Sequence, residues 1–466
     1  MTKPLRETLE LNNIEQVLAD TNPPDANKFE QIITKALKLE GLNELEVARL
    51  LKIESPKKIE KLLETAGKIK EEIYGKRLVV FAPLYLDNYC SNNCLYCGYR
   101  APNKELNRKE LSESEIETEV KELLKTGQKR LLVLTGERNS SNIDDLLDKI
   151  DKIYAVDGDN PGEEVKRINL EIAPLTEEEF AKVSKSKIGT YTCFQETYHL
   201  PTYNQMHLSG KKQDFDWRLE VMDRAVKGGI DDYGIGVLFG LYDFKYEVLA
   251  MIRHANYLDK KYGVGPHTVS VPRFKPAAGA KIKEAPYQVS DDDFKLLIAI
   301  IRMALPYTGM ILSTREPVQL RNKLFKYGIS QISAGSCTSP GGYNDKAEET
   351  GQFKLYDNRN LEEIVTEAVQ AGYLPSFCTS CYRQARTGRD FMELAKPGDI
   401  KPYCQANALL TLAEYLINYG SEQLQADGFN LIDQKINEVR EKNQALANKI
   451  SNKLDKLKDD KYDLYF

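Results

Sequence analysis

Short apolar runs alternate with helical patterns through the middle of the chain. Eight such runs, each followed by a stretch with apolar residues at helical spacing, extend from residue 77 to residue 372. Strands that alternate with helices pair in parallel through right-handed crossovers. The predicted strands are RLVVFAPLYL (77–86), RLLVLT (130–135), RINLEIA (167–173), IGTYTCF (188–194), DYGIGVLF (232–239), HTVSVP (267–272), GMILST (309–314) and SQISAG (330–335).

This alternation predicts the fold class. Eight strand–helix pairs over roughly 300 residues suit one α/β fold, the closed (β/α)8 TIM-type barrel. The usual length of this barrel is about 250 residues, with room for insertions. An open, doubly wound sheet is the alternative architecture. The barrel is favoured because each run is short and almost continuously apolar, as strands buried on both faces are. We therefore predict a barrel domain over 77–372.

Two helical segments flank the predicted barrel. Residues 1–76 carry apolar residues at helical spacing interrupted by prolines, which predicts an N-terminal helical cap. Residues 373–466 hold three cysteines and then a long helical pattern, which predicts a C-terminal domain. We interpret that pattern as an amphipathic helix packed on the barrel flank, with a coiled-coil dimer seam as the alternative. Its apolar residues, at roughly heptad spacing, are Ile432, Ile436, Val439, Leu446, Ile450 and Leu457.

Composition and charge narrow the functional classes. The 65 Lys and Arg against 70 Asp and Glu leave a net charge of −5, which gives no basic face for nucleic acid. The chain has no apolar stretch of about 20 residues that could span a membrane, and no secretory signal. We therefore expect a cytoplasmic protein that binds neither nucleic acid nor membrane. In a reducing compartment, closely spaced cysteines are more often metal ligands or catalytic groups than disulfides.

Three of the eight cysteines follow the first predicted strand in the spacing C-x3-C-x2-C, at Cys90, Cys94 and Cys97. Three thiolates in such a loop can hold three irons of a cubane [4Fe–4S] cluster and leave the fourth iron open. The amino and carboxylate groups of a methionine can chelate that open iron. A zinc site is the alternative, but zinc normally takes a fourth ligand, and the sequence has no further Cys or His nearby.

Polar residues recur where the predicted strands end. Because active sites of (β/α)8 barrels lie at the C-terminal ends of the strands, these residues are expected to share one pocket. His267 opens the sixth run, so it is expected to lie slightly out of this register. The strand-end residues are Cys90, Cys94 and Cys97, followed by Glu137, Glu171, Glu196, Arg315 and Ser336.

The cysteine spacing resembles the signature of the radical S-adenosylmethionine superfamily. The resemblance continues along the barrel and implies contacts with S-adenosylmethionine. Tyr96 would pack near the adenine, Thr135-Gly136-Glu137 would receive the methionine amino group, Glu171 and Ala173 would contact the ribose, and Gly234-Ile235-Gly236 would run alongside the adenine.

A second group of cysteines, Cys378, Cys381 and Cys404, has the spacing C-x2-C-x22-C. One interpretation is a zinc knuckle completed by a distant histidine. The alternative is a second iron–sulfur cluster with an open iron, and we favour it because the C-x3-C-x2-C motif already indicates an iron–sulfur enzyme. Together the two motifs resemble the tyrosine lyases that mature [FeFe]-hydrogenase. The resemblance includes QETYHLP (195–201), GPHT (265–268), STRE (313–316) and SAGS (333–336).

That family resemblance implies a reaction. An electron from the first cluster cleaves S-adenosylmethionine, and the resulting radical takes a hydrogen atom from the amino group of L-tyrosine. The Cα–Cβ bond then breaks to p-cresol and dehydroglycine, which the second cluster converts to carbon monoxide and cyanide on iron. The implied partners are an electron donor such as a ferredoxin or flavodoxin and the other hydrogenase maturases. The rivals are a thiamine-biosynthesis lyase that stops at dehydroglycine and a non-enzymatic iron–sulfur carrier.

Individual residues receive roles as hypotheses. Glu196 and Ser336 are grouped with Arg315 as catalytic candidates, because a fixed planar cation at Arg315 suits the tyrosine carboxylate. Arg321 is the second candidate for this contact, and we favour its interpretation as a surface arginine of the following helix. The resemblance makes His267 a ligand to an extra iron at the second cluster. Cys193 and Cys337 are expected to be small buried hydrophobes.

Overall fold

The computed structural model describes residues 3–138, 142–160, 162–345, 351–459 and 461–466. Each of the three predicted domains therefore includes at least one residue that lies outside the described ranges.

Eight parallel strands close into a barrel. The strands pair in sequence order from β2 to β8, and β1 completes the ring by pairing with both β8 and β2. This confirms the predicted (β/α)8 TIM-type fold. The strands are β1 (Arg77–Tyr85), β2 (Arg130–Leu134), β3 (Arg167–Glu171), β4 (Ile188–Glu196), β5 (Tyr233–Val237), β6 (Thr268–Ser270), β7 (Gly309–Leu312) and β8 (Gln331–Ser333).

A ninth strand, β9 (Leu374–Ser376), lies within the segment predicted as the C-terminal domain. It pairs in parallel with the beginning of β1, in the register Arg77 to Leu374 and Val79 to Ser376. The sequence did not predict it, because it is three residues long and contains Pro375, which donates no ladder hydrogen bond. The C-terminal segment is thus hydrogen-bonded to the barrel sheet at the N-terminal end of the strands.

The helices surround this sheet, and several begin at a local capping box. Ser112 accepts a hydrogen bond from Glu115 N while the Glu115 side chain accepts one from Ser112 N, which satisfies two donors at the start of the first barrel helix. The N-terminal helices are α1 (Leu5–Thr8), α2 (Ile14–Asp20), α3 (Ala26–Leu37), α4 (Glu44–Leu50) and α5 (Pro56–Tyr74). The barrel helices are α6 (Glu113–Lys125), α7 (Ile143–Tyr154), α8 (Glu177–Val183), α9 (Leu200–Met206), α10 (Phe215–Leu219), α11 (Val221–Lys227), α12 (Phe244–Tyr262), α13 (Asp291–Ala304), α14 (Val318–Leu324), α15 (Gly342–Asp345) and α16 (Leu361–Gln370).

The C-terminal region is helical. The long pattern predicted there is two helices rather than one, because the chain breaks at Asn443, whose side chain caps the second helix by accepting from Leu446 N at 3.0 Å. Ile432 and Ile436 lie in the first of these two helices and are buried where that helix packs on its neighbours. Within the described chain, no helix combines the length and apolar character needed to cross a membrane. The C-terminal helices are α17 (Ser380–Arg383), α18 (Gly388–Ala395), α19 (Lys401–Tyr419), α20 (Glu422–Lys442) and α21 (Gln444–Lys458).

The interpretation of Arg321 as a surface residue is wrong. Its side chain in α14 is fully buried and forms an ion pair with Asp357, and it also donates to the Ser333 carbonyl at 2.6 Å. Helical spacing could not indicate this, because the loop that carries Asp357 covers this face of the helix. Arg359 contacts the same carboxylate at 2.6 Å, so Asp357 has two cationic partners.

This pair predicts unequal effects of removing its two members. Asp357→Ala leaves the buried Arg321 guanidinium without a counter-charge and should lower the free energy of unfolding by about 3–5 kcal/mol. Arg321→Met should cost less, because Arg359 still pairs with Asp357. Urea unfolding of the two variants, followed by circular dichroism, measures both values. A larger loss for Arg321→Met than for Asp357→Ala would contradict this account of the pair.

Candidate active site and two cysteine triads

The loop after β1 carries the first three cysteines, and neighbouring segments hold its backbone. Within this cysteine loop (residues 90–97), Leu95 N donates to the Met206 carbonyl and Asn93 N to the Ser209 carbonyl, both at 3.0 Å. The Leu95 carbonyl accepts from Lys281 N at 2.8 Å. These bonds fix the loop over the C-terminal ends of the strands.

The three cysteines line one cavity of about 70 Å³, which we call the first-cysteine cavity. Most of the strand-end residues predicted from the sequence meet there, and two cations that the sequence did not predict join them. Beside Cys90, Cys94 and Cys97, the wall includes Thr135, Gly136, Glu137, Glu171, Glu196, Lys212 and Arg218.

Each of the two cations is paired with a predicted carboxylate. Lys212 contacts Glu196 at 2.6 Å, and Arg218 contacts Glu137 at 2.9 Å. Burial raises the pKa of Glu137, but Arg218 and Lys212 outweigh it and the pKa is lowered overall. Glu171 has no ion pair among the described residues, and burial and the neighbouring Glu196 raise its pKa to about 7. The cavity therefore offers a carboxylate at Glu137 that its cationic partner keeps ionised, and a carboxyl at Glu171 that can change its protonation near neutral pH.

The first-cysteine cavity fits an iron–sulfur cluster. Burial and the neighbouring Cys90 raise the pKa of Cys97 to about 11, and burial raises that of Cys94 well above its usual value. Three thiolates can coexist there when a cationic metal core binds them. In the described ranges, no three His, Cys, Asp or Glu side chains converge as ligands of a single ion. A closed zinc site would hold its sulfurs about 2.3 Å from one metal, whereas a cubane spreads three cysteines around a larger core.

A larger cavity of about 320 Å³ adjoins the first one. The two share Thr135, Gly136 and Glu137, and the larger one continues past Ala173 and Trp217. Its volume is within the range of small-molecule sites. It therefore fits a nucleoside-bearing ligand whose amino-acid end reaches the cysteines, which is what S-adenosylmethionine requires.

Gly136 is where the second strand meets the cysteine loop. A Cβ at this position would lie 1.9 Å from the carbonyl oxygen of Tyr89, which precedes Cys90. Only glycine permits so close an approach of the two backbones. Gly236, predicted to run alongside the adenine, is similarly restricted, because a Cβ there would lie 2.7 Å from the Phe194 ring.

Tyr96 is buried and lines neither of these two cavities. His207 accepts a hydrogen bond from its hydroxyl, with 2.8 Å between Oη and Nε2, and the other ring nitrogen lies 2.8 Å from the Tyr203 carbonyl. Since that carbonyl can only accept, Nδ1 of His207 carries the proton. The pair holds the cysteine loop against α9, so the structure gives Tyr96 an anchoring contact that the sequence did not predict.

A third cavity, of about 80 Å³, lies inside the barrel and contains Arg315 and Ser336. It shares Glu171 with the first-cysteine cavity. Arg315 rests on the Phe353 ring at 3.3 Å and, among the described residues, forms no ion pair. The Ser336 hydroxyl is shielded from solvent and has no hydrogen-bond partner within the described chain. Both groups are therefore available to a ligand.

The second cysteine triad lies at the opposite end of the barrel. Cys378 follows β9, while Cys381 lies in α17 and Cys404 in α19. Arg130, at the start of β2, donates to the Cys378 carbonyl. Burial and the two neighbouring cysteines raise the pKa of Cys381 to about 12, so these thiols also need a cationic core to ionise together.

Two buried arginines and one partly buried arginine, Arg77, lie at this second triad. Arg77, Arg130 and Arg167 occupy the first positions of β1, β2 and β3, and Nε of each lacks a hydrogen-bond partner among the described residues. Among the described residues, Asp232 pairs with Arg167 at 3.9 Å. Buried guanidinium donors that remain unpaired are costly unless a further anion compensates them. Three thiolates around an iron–sulfur core would supply that negative charge, so the residues present fit a second cluster.

His267 lies just before β6, at the end of the barrel that holds the second triad. It is therefore farther out of register with the strand-end residues than expected. Its ring stacks on Phe391 at 4.0 Å, and Nδ1 lies 3.3 Å from Asp232. Burial lowers the pKa of His267, which favours the neutral, metal-binding form of the imidazole.

Phe466 joins the two segments that carry the second triad. Its N–H donates to Asn407 Oδ1 at 2.8 Å, and Asn407 lies one turn after Cys404. Its carbonyl accepts from Arg386 at 2.6 Å and from Ser380, between Cys378 and Cys381. Residues 461–466 thus brace the second triad from outside.

The remaining two cysteines differ in burial. Cys193 is buried in β4, as predicted, and it also lines the first-cysteine cavity. Cys337 is only partly buried, and its thiol lies near Ser339.

The close approach at Gly136 predicts the effect of a single methyl group. Gly136→Ala should displace the Tyr89 backbone and with it the cysteine loop, so that anaerobic iron–sulfur reconstitution gives about half of the wild-type iron per chain. Gly372→Ala is the control for backbone strain away from the cysteine loop, because Gly372 has a φ of 75° but its added methyl meets no atom within 4 Å. Iron analysis of both variants decides the matter, and a full iron content in Gly136→Ala would show that the loop tolerates the displacement.

Two family descriptions match parts of the chain. Residues 84–255 match the radical SAM superfamily, in which SAM stands for S-adenosylmethionine, and residues 270–374 match the Biotin and Thiamin Synthesis associated domain. The 2-iminoacetate synthase of Escherichia coli (strain K12) is 32% identical over 346 residues, covering 74% of this chain and 89% of that protein.

Solved structures extend the similarity to the whole chain. A crystal structure of HydG, described as a maturase of the [FeFe]-hydrogenase, is 46% identical with a TM-score of 0.92 and covers 99% of both chains. The HydG maturase of Carboxydothermus hydrogenoformans is 40% identical with a TM-score of 0.83, over 97% of this chain and 99% of that one. The chain therefore belongs to the HydG-type [FeFe]-hydrogenase maturases of the radical S-adenosylmethionine superfamily.

Proposed function

We propose that this chain is a tyrosine lyase that cleaves the Cα–Cβ bond of L-tyrosine to p-cresol and dehydroglycine. It then forms carbon monoxide and cyanide on iron at a second cluster, for assembly of the [FeFe]-hydrogenase active-site cluster. One observation carries the proposal: two cysteine triads lie at opposite ends of one barrel, so a single chain offers a separate site for each stage.

Membership of the radical SAM superfamily implies a [4Fe–4S] cluster and S-adenosylmethionine. Cys90, Cys94 and Cys97 would hold the cluster, which when reduced supplies the electron that splits S-adenosylmethionine to methionine and a 5′-deoxyadenosyl radical. Glu137, kept ionised by Arg218, would accept hydrogen bonds from the methionine ammonium group.

Glu171 and Ala173 would contact the ribose of S-adenosylmethionine, since they line the two cavities beside the first triad. On the family resemblance, Gly236 and Tyr96 are proposed on the adenine side, although Tyr96 lines neither of the two cavities. Binding side by side in these adjoining cavities would keep the reacting groups in contact, which matters for an unselective radical.

L-Tyrosine would bind in the barrel cavity next to the first triad. Arg315 is held flat by Phe353 and has no ion pair among the described residues, so its guanidinium can bind the substrate carboxylate in a bidentate manner. The Ser336 hydroxyl would donate a further hydrogen bond. Glu196 lies at a φ of 68°, which is uncommon for a residue other than glycine, and Lys212 fixes its carboxylate where it would meet the substrate amino group.

Cys378, Cys381 and Cys404 would hold the second cluster, where dehydroglycine gives carbon monoxide and cyanide. His267, neutral and fixed by Asp232, would bind the extra iron. Arg77 and Arg130, whose Nε atoms lack partners among the described residues, lie at this end of the barrel and would attract the carboxylate of dehydroglycine.

The similarity to 2-iminoacetate synthase keeps a shorter reaction as the alternative. A thiamine-type lyase would stop after the first stage, and an iron–sulfur carrier would form neither product. The products therefore distinguish the three functions.

The test of the function is an anaerobic assay of the reconstituted protein with S-adenosylmethionine, tyrosine and dithionite. We expect both p-cresol and carbon monoxide. Cys378→Ser should abolish carbon monoxide and keep p-cresol, because it removes a ligand at the far end of the barrel, whereas Cys337→Ser should leave both products unchanged. p-Cresol without carbon monoxide in the wild-type protein would support the thiamine-type alternative, and the absence of both would overturn the lyase assignment.

The assignment of Arg315 predicts a defect in substrate binding. Arg315→Lys cannot form a bidentate contact, so KM for tyrosine should rise about 10- to 100-fold, with a smaller change in the yield of 5′-deoxyadenosine formed without tyrosine. Arg253→Lys, on the distant α12, is the matched control. An unchanged KM in Arg315→Lys would remove this residue from the tyrosine site.

A further inference from the structure

An exposed collar surrounds the cysteine loop on the outer side. Three segments form it, namely residues 100–105, 208–211 and 278–284. Each is tied to the loop: Ala101 N donates to the Asn92 carbonyl at 2.8 Å, Leu208 N to the Asn93 carbonyl at 3.2 Å, and Ile282 N to the Leu95 carbonyl at 3.1 Å. The collar is thus the protein surface in direct contact with the backbone of the first triad.

Positive charge predominates in the collar. None of its charged side chains forms an ion pair within the described part of the chain. Lys104, Lys211, Lys281 and Lys283 are exposed, whereas Arg100 is half-buried and donates to Asn93 Oδ1 at 2.7 Å. The chain as a whole is acidic, with 65 basic and 70 acidic residues, so this excess is local. The cations are Arg100, Lys104, Lys211, Lys281 and Lys283, and the only acidic residues of the three segments are Glu105 and Glu284.

The collar also carries a short apolar path to the first triad. Ile282 packs against the buried cluster that contains Cys94 and Tyr96. Leu208 is 49% exposed and hydrogen-bonded to the Asn93 carbonyl, so it gives a docked protein an apolar contact within the collar. A charged rim around an apolar centre is the usual composition of a protein interface.

The first cluster needs one electron from outside for each S-adenosylmethionine that it cleaves. We propose that the collar is the docking surface for an acidic electron-carrier protein, which loses one electron as the cluster at Cys90, Cys94 and Cys97 gains it. This inference rests on the proposed function, because only a redox-active first cluster needs such a partner.

Electrostatic steering explains why the partner is acidic. Complementary charge raises the rate of protein association by about 10- to 1,000-fold at low salt, and the effect disappears as ions screen it. At about 0.1 M salt the screening length is about 10 Å, so clustered charges beside the contact act and distant ones do not.

The test compares a charge reversal in the collar with a charge reversal elsewhere. Lys281→Glu/Lys283→Glu reverses two exposed charges of the collar. Lys442→Glu/Lys449→Glu makes the same change of net charge on exposed residues of α20 and α21. The probe is a purified, strongly acidic ferredoxin, and the readouts are its binding affinity for the reconstituted protein and the stopped-flow rate of cluster reduction.

We expect the collar variant to bind ferredoxin at least 10-fold more weakly at low salt and to be reduced correspondingly more slowly. The difference should shrink at about 0.5 M salt, and the α20–α21 variant should match the wild-type protein. Equal affinity and rate in the collar variant would overturn the proposal, as would an equal defect in the α20–α21 variant.

Dithionite, a small reductant, separates this proposal from the function itself. With dithionite, the collar variant should form p-cresol at the wild-type rate. If the wild-type protein forms no p-cresol with dithionite, the proposed function fails, whereas the ferredoxin affinities still decide the role of the collar.

Discussion

The arrangement of both candidate sites depends on the hydrogen bonding of a single strand. β1 is nine residues long, and its first residues pair with β9 while its last ones pair with β2. The pairing with β9 places Cys378 below the barrel, and the end of β1 leads directly into the cysteine loop above it. Because all strands of the barrel are parallel, each strand begins at the end that holds the second triad and finishes at the end that holds the first. One strand therefore sets the separation of the two triads.

Charged side chains are paired differently at the two ends of the barrel. Around the first triad, the cations Lys212 and Arg218 are each neutralised by a glutamate, so the site has little excess charge before a ligand binds. Around the second triad, buried arginines at the strand starts keep unpaired donors. The first site thus suits a ligand that carries both an ammonium and a carboxylate group, and the second suits an anionic cluster and anionic fragments.

The sequence predicted the barrel and most of the first site, because the position of a residue at the end of a parallel strand fixes which end of the barrel it occupies. It did not predict Lys212 and Arg218, which lie in a short turn and a five-residue helix without any periodic signal. The burial of Arg321 and the pairing of β9 depend on contacts between segments distant in sequence. The position of His267 was uncertain because it lies at the boundary of a three-residue strand.

The central claim is that one barrel holds an iron–sulfur cluster at each end. Anomalous diffraction at the iron edge, from crystals of the anaerobically reconstituted protein, locates iron directly. The account predicts two separate iron peaks, one enclosed by Cys90, Cys94 and Cys97 and the other by Cys378, Cys381 and Cys404. A single iron peak, or a zinc signal at the second triad, would contradict it.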